Sequence, residues 1–307
     1  MILHLETPLI YSHALSDPLG KQIWLKMDAL QPSGSFKIRG IGHLCQHHAQ
    51  QGKKRFIISS GGNAGIAVAY AGRRLTIPTV VVVPESTSEH ARRLIQREKA
   101  ELHVVGKNWQ EAHEYALTLV QEDDALIHPF DDPLLWEGHA SLIAEVAQMG
   151  VRPDAVLLAV GGGGLLSGVA QGLREQGWDK TTIIAVETEG TASLGESVRQ
   201  RQHITLDEVS GVATSLGAPR VCDQAYAISQ SHPTTCIQVS DAQAVSACLR
   251  FLTDHRVLVE PACGAALSTL YLDHEALAPY KNILVVVCGG NTMTLEQLVQ
   301  WRATAQI

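Results

Sequence analysis

The stretch Ala155-Val156-Leu157-Leu158-Ala159-Val160-Gly161-Gly162-Gly163-Gly164-Leu165 joins a predicted strand to a predicted helix through four consecutive glycines. The six residues before the glycines are apolar, and a short apolar run bounded by glycine is typical of a strand that is buried on both faces. Four glycines expose several backbone N–H groups at the start of the helix, where they favour an anion such as a phosphate dianion. This stretch therefore predicts an α/β fold with an anion-binding loop.

Strand and helix patterns alternate on both sides of this stretch. Apolar runs predict further strands at 23–27, 56–58, 79–83, 102–105, 183–186, 257–259 and 283–287. Helical patterns separate several of these runs, including those at 89–99 and 109–121. Alternation at such short intervals indicates mostly parallel sheets with helices on both faces. We therefore expect an α/β protein with two open, mostly parallel twisted sheets.

The chain has 307 residues, of which 45% are apolar, and this is enough to bury two cores. Two prolines and two aspartates at 129–133 interrupt the periodicity before a helix that we expect to open at Trp136. The sequence thus predicts a small domain, residues 40–136, and a large domain that combines residues 1–39 with residues 137–307.

Composition excludes several classes of partner. The net charge is −7, and no lysine/arginine block exceeds the three residues 53–55, so we expect no nucleic-acid partner. No apolar run reaches the length of a membrane span, and the N-terminus lacks the basic-then-apolar order of a signal peptide. The six cysteines form no C-x-x-C pair, which argues against a zinc knuckle or a disulfide framework. We expect a cytoplasmic protein with a small-molecule partner.

The segment Ser33-Gly34-Ser35-Phe36-Lys37-Ile38-Arg39-Gly40 places an amine at the start of a predicted helix. Gly34 lets the backbone pass close to a ligand, and we expect Ser35 to cap the helix. Burial beside Phe36 and near free helix-start amides would lower the proton affinity of Lys37 and make it a nucleophile. The alternative, if this segment stood alone, is an ordinary solvated lysine.

A second glycine loop, Ser59-Ser60-Gly61-Gly62-Asn63-Ala64-Gly65, follows the predicted strand at 56–58. Its free N–H groups and the side-chain amide of Asn63 suit a carboxylate or a phosphate. The alternative is a tight turn that serves only close packing. Because ligands of open α/β sheets bind at the carboxyl ends of the strands, we expect these loops to meet at one site.

Two other patterns raise alternative functions. A glycine loop followed by a strand ending on Glu187 has the layout of a dinucleotide site, but Leu166 and Ser167 stand where the third glycine would be required. His43, His47 and His48 have a spacing that can hold a metal ion, yet no carboxylate or cysteine completes the set within that helix turn. A solvated helix face is the alternative for the histidines.

Six motifs, in this order, resemble the L-serine dehydratase/L-threonine deaminase family of pyridoxal-phosphate enzymes, which have the tryptophan synthase β-type fold (fold type II). They are S-G-S-F-K-I-R-G, S-S-G-G-N-A-G, F-D-D-P-L-L-W-E-G-H, V-G-G-G-G-L-L-S-G-V, V-E-P-A-C-G-A-A-L and V-V-V-C-G-G-N. The resemblance extends from about Thr7 to Leu295. It implies elimination of water from L-serine, and from L-threonine, to give a 2-oxo acid and ammonia.

The resemblance also implies a binding site for pyridoxal 5'-phosphate. Lys37 would hold the cofactor as a Schiff base, Phe36 would lie beside the ring, and Asn63 would hydrogen-bond to the ring hydroxyl. Cys288 would face the pyridine nitrogen, although a buried small hydrophobe is the alternative for this thiol in isolation. The cofactor phosphate would be held by backbone amides of Gly161, Gly162, Gly163, Gly164 and Leu165.

Further implications concern the substrate, a cation and the assembly. The substrate carboxylate would be received by Ser60, Gly61, Asn63 and Ala64, and Gly61 stands where many relatives carry alanine. A monovalent cation such as K⁺ would be bound by the Glu187 carboxylate and by backbone oxygens around Gly161, Thr191, Leu216 and Ala218. Relatives are commonly homodimers, so we expect a homodimer. Related β-replacement enzymes, serine racemases and a catalytically silent ligand-binding protein remain alternatives.

Overall fold

The computed structural model describes residues 2–304, and its strands follow the predicted alternation closely. In chain order the strands are β1 Leu9–Tyr11, β2 Gln22–Lys26, β3 Arg55–Ser59, β4 Thr79–Val83, β5 Glu101–Val104, β6 Asp124–Leu126, β7 Ala155–Ala159, β8 Thr182–Thr188, β9 Thr234–Val239 and β10 Asn282–Val286.

The strands form two separate sheets. One sheet has six strands in the order β1-β2-β10-β7-β8-β9, and the other has four in the order β5-β4-β3-β6. Among the strand pairs of residues 2–304, only the edge pair β1–β2 is antiparallel, and the remaining pairs run parallel, for example with Val285 of β10 opposite Leu25 of β2. The predicted fold class, two open and mostly parallel sheets, is confirmed.

Helices connect the strands and cover the sheets. They are α1 His13–Leu19, α2 Lys37–Gln50, α3 Asn63–Leu75, α4 Glu89–Arg97, α5 Trp109–Leu119, α6 Pro133–Gln148, α7 Gly164–Glu175, α8 Ser193–Gln200, α9 Asp223–Ser231, α10 Asp241–His255, α11 Pro261–Tyr271 and α12 Leu295–Thr304. Among residues 2–304, no helix combines the length and the apolar character that crossing a membrane requires.

Each sheet has its own apolar core. Strands β7, β8 and β10 supply fully buried residues such as Leu157, Ile184 and Val285 to the core of the larger sheet. The smaller sheet buries Phe56 and Ile58 of β3 against α2 and α3, and it buries Ile57 and Val80 against α5. Burial on both faces explains why these strands are nearly continuous apolar runs rather than alternating ones.

One predicted strand is wrong. The apolar run at 257–259 forms no strand, because it is the short connection between α10 and α11. Arg256 ends α10 in the left-handed conformation, and Pro261 opens α11, which leaves too few residues to pair with a neighbouring strand. Val259 is completely buried all the same. Its apolar character therefore reflects core packing, which periodicity cannot distinguish from a short strand.

Two predicted helix starts are also wrong. Helix α2 has Phe36 at its N-cap, already in the helical conformation and without a side-chain cap bond, so Ser35 does not cap it. Helix α6 begins at Pro133 rather than at Trp136, with the side chain of Asp132 accepting a hydrogen bond from the Leu134 amide at 2.8 Å. Aspartate at the N-cap followed by proline is a strong helix start, so Pro133 opens the helix instead of interrupting the periodicity.

Candidate active site

The loops that follow β2, β3, β7 and β10 meet at the carboxyl ends of the strands. The Phe36 amide donates to the Cys288 carbonyl at 3.1 Å, and Ser35 forms an antiparallel bridge with Gly289. The Asn291 amide donates to Asn63 Oδ1 at 3.1 Å, which joins the loop after β10 to the loop after β3. The structure therefore brings the lysine segment, the Asn63 loop and the Cys288 loop together.

Lys37 lies half-buried at the start of α2. Its Nζ donates to the Pro129 carbonyl at 2.6 Å and lies 5.4 Å from the centre of the Phe36 ring. Burial lowers the pKa of Lys37 from 10.5 to about 8, although the nearby Cys288 and Glu260 oppose this effect. A lower pKa leaves more of the amine neutral at physiological pH, so the amine can act as a nucleophile or a base.

The four-glycine loop is enclosed so closely that side chains cannot be added. A Cβ on Gly162 would lie 2.3 Å from the Phe130 ring, and one on Gly164 would lie 2.7 Å from the Phe130 carbonyl. Gly163 has φ of +90° and is the N-cap of α7 without a side-chain cap bond. The amides at the start of α7 therefore have no side-chain competitor for an anion, and the phosphate of a cofactor fits this arrangement.

Pro129 and Phe130 link the lysine to the glycine loop. Pro129 accepts the hydrogen bond from Lys37, and Phe130 packs over Gly162 and Gly164. The amides of Phe130 and Asp131 donate to His128 Nδ1 at 3.3 and 2.8 Å, which fixes the turn. This segment, which the sequence indicates as a domain boundary and as part of a family motif, thus contacts both the lysine and the glycine loop.

Asn63 is the first residue of α3, and its side-chain amide contacts three other residues. Its Nδ2 donates to Glu260 Oε1 at 2.8 Å and to Ser215 Oγ at 3.3 Å, while its Oδ1 accepts from Asn291. Glu260 is only 4% exposed and also accepts from Thr292 Oγ1 at 3.0 Å. Burial raises the pKa of Glu260, and the hydrogen bonds from Ser215, Asn63 and Thr292 partly counteract the rise.

Cys288 follows β10 and is 6% exposed. Its thiol is hydrogen-bonded to the thiol of Cys263 in α11, and this bond together with burial raises the pKa of Cys288 well above its ordinary value. A thiol held in its neutral form carries no negative charge. It therefore cannot hold a proton on a facing ring nitrogen in the way that a carboxylate would.

The remaining predicted substrate residues lie in the loop between β3 and α3. Ser60 Oγ accepts a long hydrogen bond from the Gly62 amide at 3.4 Å, and Ala64 is buried at 4% exposure. Gly61 faces Thr87, and a Cβ on Gly61 would lie 2.5 Å from Thr87 Oγ1 and 2.6 Å from Thr87 Cγ2. Thr87 thus occupies the space that an alanine side chain would need.

The Glu187 side chain is directed towards the start of α8, which disfavours a role in binding ribose hydroxyls. Its fully buried carboxylate accepts from the Leu194 and Gly195 amides at 2.8 and 2.7 Å, at the start of α8. Burial raises the pKa of Glu187 to about 7, against the effect of these two hydrogen bonds. The dinucleotide reading is therefore disfavoured by geometry as well as by glycine spacing.

The other residues predicted around a cation are distributed along the same end of the large sheet. A Cβ on Gly161 would lie 3.0 Å from Leu216 Cα, and the Ala218 amide donates to the Leu216 carbonyl at 2.7 Å. Thr191 Oγ1 is 2.8 Å from Thr188 Oγ1. Gly161 and Leu216 are thus in contact, whereas the Glu187 carboxylate is bonded to α8.

The histidines of α2 do not assemble a metal site. His47 Nε2 lies 2.7 Å from Gln51 Nε2, and the His43 ring lies 3.5 Å from a Glu137 oxygen on the exposed surface. Within residues 2–304, no group of three or more histidine, cysteine, aspartate or glutamate residues could hold a metal ion.

A buried charge network lies directly behind the lysine. Arg39 is completely buried, and its guanidinium forms two hydrogen bonds with Asp28 and two with Glu145, at 2.6 to 2.9 Å. Lys26 Nζ lies 2.5 Å from Glu145 Oε2 and donates to the Thr7 carbonyl at 2.6 Å. Since Arg39 is two residues from Lys37, this network fixes the first turn of α2 to β2 and α6.

Sequence reasoning missed several residues of the site. Glu260 and Asn291 stand in the motifs V-E-P-A-C-G and C-G-G-N but received no role, and the Pro129 carbonyl and Thr87 were not considered. Glu260 precedes a proline that opens a helix, which could have marked it as an N-cap residue. Nothing in the sequence indicates that its carboxylate turns towards Asn63.

Comparison with known proteins places this geometry in a family. A family model described as "Pyridoxal-phosphate dependent enzyme" matches residues 2–289. The mouse (Mus musculus) protein named L-serine dehydratase/L-threonine deaminase is 46% identical, and the match covers 96% of this chain and 94% of that protein.

Solved structures agree with the sequence matches. The fungal L-serine ammonia-lyase from Rhizomucor miehei is 35% identical, with a TM-score of 0.93 and coverage of 98% of both chains. The processed form of threonine deaminase isoform 2 from Solanum lycopersicum is 27% identical, with a TM-score of 0.90 and coverage of 99% of this chain and 89% of that one. The predicted resemblance is confirmed: the chain belongs to the pyridoxal-phosphate dependent enzymes, among the L-serine dehydratase/L-threonine deaminase proteins.

Proposed function

We propose that the protein is an L-serine/L-threonine ammonia-lyase that releases pyruvate from L-serine and 2-oxobutanoate from L-threonine, with ammonia as the second product. The names of its relatives support this activity. The observation that carries the proposal is the half-buried Lys37, whose pKa is lowered and whose hydrogen-bond acceptor, Pro129, is next to the residue that covers the glycine loop.

The residue roles follow from the fit of the site to pyridoxal phosphate. Lys37 would bind the cofactor covalently, and the amides of Gly161 to Leu165 would hold its phosphate at the start of α7. Phe36 would lie beside the ring, Asn63 would donate to the ring hydroxyl, and Cys288 would face the pyridine nitrogen. The enclosed glycines and the uncapped start of α7 support the phosphate position.

The chain's own groups would carry the proton transfers. When bound, pyridoxal phosphate supplies the electron sink that makes the substrate α-proton acidic. Lys37 Nζ would remove that proton from the substrate Cα as a general base. Ser60, Gly61, Asn63 and Ala64 would receive and orient the substrate carboxylate.

A neutral Cys288 suits elimination. A carboxylate in its place would keep the ring nitrogen protonated and favour a long-lived carbanion, which leads to transamination or racemisation. Elimination expels the electron pair through the β-substituent and needs a weaker sink. The raised pKa of Cys288 supports this role.

We further propose a monovalent cation site, a homodimeric assembly and a cytoplasmic location. Glu187, Gly161, Thr191, Leu216 and Ala218 would surround a cation such as K⁺. A cation there would favour the ionised form of the buried Glu187 carboxylate, whose pKa burial raises to about 7. We also propose residues 40–136 as a small domain and 1–39 with 137–307 as a large one, of which residues 1 and 305–307 lie outside the described part. The separate cores of the two sheets support this division.

The test is to record the visible spectrum of the purified protein, add L-serine, and follow 2-oxo acid release with and without K⁺. We expect a coloured protein that produces pyruvate without added sulfide. Sulfide-dependent product would instead indicate a β-replacement enzyme, and D-serine in chiral analysis would indicate a racemase. A protein that binds cofactor but leaves serine unchanged would refute the proposed activity.

A further inference from the structure

Glu260 adopts an unusual arrangement for a residue at a helix start. It occupies the N-cap of α11, yet its carboxylate makes no cap hydrogen bond. The side chain instead turns into the site and is buried, with Oε1 accepting from Asn63 and Oε2 accepting from Thr292. A buried carboxylate that does not accept the cap hydrogen bond must accept hydrogen bonds from other donors.

The backbone of the Cys288 loop makes room for this side chain. Gly290 has φ of +125°, and a Cβ at this position would lie 2.0 Å from Glu260 Cδ. The next residue, Asn291, presents its amide to Asn63 Oδ1. Glu260 thus binds the nitrogen of the Asn63 side-chain amide, and the Asn291 N–H binds its oxygen.

These two partners determine the orientation of the Asn63 amide. An ionised carboxylate only accepts hydrogen bonds and a backbone N–H only donates, so the Asn63 nitrogen must face Glu260 and its oxygen must face Asn291. In a flipped amide, the Asn63 oxygen would face the Glu260 carboxylate oxygen and the Asn63 nitrogen would face the Asn291 N–H. The second hydrogen of Nδ2 has only a long bond of 3.3 Å to Ser215 Oγ, which leaves it available to a ligand.

We propose that Glu260 is a positioning residue that orients the Asn63 amide, so that its second N–H is presented to the ring hydroxyl of pyridoxal phosphate. The proposal rests on the role of Asn63 in the proposed function. Glu260 itself need not touch the cofactor. What matters is the position and acceptor character of Oε1 rather than the negative charge of the carboxylate.

Two substitutions separate position from charge. Glu260→Gln keeps the side-chain length and an acceptor oxygen for Asn63, and the Thr292 hydroxyl can rotate to accept from the new amide nitrogen. Glu260→Asp keeps the charge but withdraws the carboxylate by about one carbon–carbon bond, roughly 1.5 Å, which breaks the 2.8 Å hydrogen bond to Asn63. A role exerted through charge predicts the opposite order, and a purely structural role is distinguished by the double-mutant cycle with Asn63→Ala.

The experiment measures the dissociation constant of pyridoxal phosphate from the apoprotein by equilibrium dialysis, together with the visible spectrum of the bound cofactor. We expect Glu260→Gln to remain within about threefold of the unsubstituted protein and Glu260→Asp to bind about tenfold or more weakly, as for a lost hydrogen bond to a charged group. The control is Asp154→Asn, at the amino ends of the strands, where Asp154 accepts from the Lys281 and Asn282 amides. It should leave cofactor binding unchanged.

A double-mutant cycle with Asn63→Ala completes the test. If Glu260 acts through Asn63, Glu260→Asp should weaken cofactor binding little further once Asn63 is alanine, and the spectra of the two single variants should change in the same direction. Additive losses, or a Glu260→Gln protein as weak as Glu260→Asp, would overturn the positioning role. If the unsubstituted protein bound no cofactor, the proposed function would fail instead, so the two failures are distinguishable.

Discussion

The buried amine of Lys37 should react with small electrophiles far faster than an ordinary lysine at neutral pH. Lowering the pKa from 10.5 to about 8 raises the neutral fraction at pH 7 from about 0.03% to about 9%, roughly 300-fold. Only the neutral amine is nucleophilic. The acylation rate of Lys37 should therefore rise about tenfold per pH unit below pH 8 and level off above it.

Competitive labelling of the apoprotein with trace acetic anhydride, followed by peptide mass spectrometry from pH 6 to 11, measures this profile. Exposed Lys180 in the same sample reports the reactivity of a solvated lysine and corrects for reagent loss. Labelling with and without saturating pyridoxal phosphate provides a second control, since a cofactor bound to Lys37 should protect only that residue.

Folding stability should follow the same titration. Because the folded-state pKa lies below the unfolded value, the unfolded chain binds more protons at Lys37 between pH 8 and 10.5. This group therefore makes the free energy of unfolding rise with pH through that window, and it lowers that free energy most below pH 8.

A labelling profile for Lys37 that keeps rising beyond pH 10 would show that burial does not lower the pKa of this amine.

Three further predictions concern single substitutions. Gly162→Ala should weaken pyridoxal phosphate binding roughly 5- to 150-fold, because its Cβ would lie 2.3 Å from the Phe130 ring and overpacking costs about 1–3 kcal/mol; equilibrium dialysis showing unchanged affinity would contradict this. Arg39→Met should lower the free energy of unfolding in urea by about 3–5 kcal/mol, since it leaves two buried carboxylates without their main partner; a change below about 1 kcal/mol would mean that the network is unimportant. Cys288→Asp should raise racemisation and transamination relative to pyruvate formation, as measured by chiral chromatography of the products, and an unchanged product ratio would count against the electronic role of the thiol.

The sequence predicts the fold well because strands buried on both faces are written as continuous apolar runs. β4, from Thr79 to Val83, and β10, from Asn282 to Val286, each lie within one residue of their predicted bounds. The same signal fails at 257–259, where an equally apolar run is buried between two helices. An apolar run in the sequence indicates burial, but it does not indicate whether a neighbouring strand is present to pair with that run.

The sequence indicates those candidate residues whose role depends on the local backbone. It does not indicate the partners that they contact across long distances in the chain. Glycine loops and Lys37 are recognisable locally, because a free amide or a helix-start amine depends on its immediate neighbours. The bond between Asn63 and Glu260 joins residues 197 positions apart in the chain, and the Lys37 acceptor, Pro129, is 92 positions away. Such partners follow only from tertiary structure.

The contact between Gly61 and Thr87 has a consequence for how the lineage can diversify. An alanine at 61 meets both γ atoms of Thr87, so it is tolerated only after Thr87 turns its Cβ hydrogen inward or is replaced by a smaller residue. A smaller residue at 87 would remove this clash, whereas an alanine at 61 clashes with Thr87 in its present rotamer. Alanine at 61 can therefore be accommodated either by a rotation of the Thr87 side chain or by a smaller residue at 87, and only the second solution fixes the order of two substitutions.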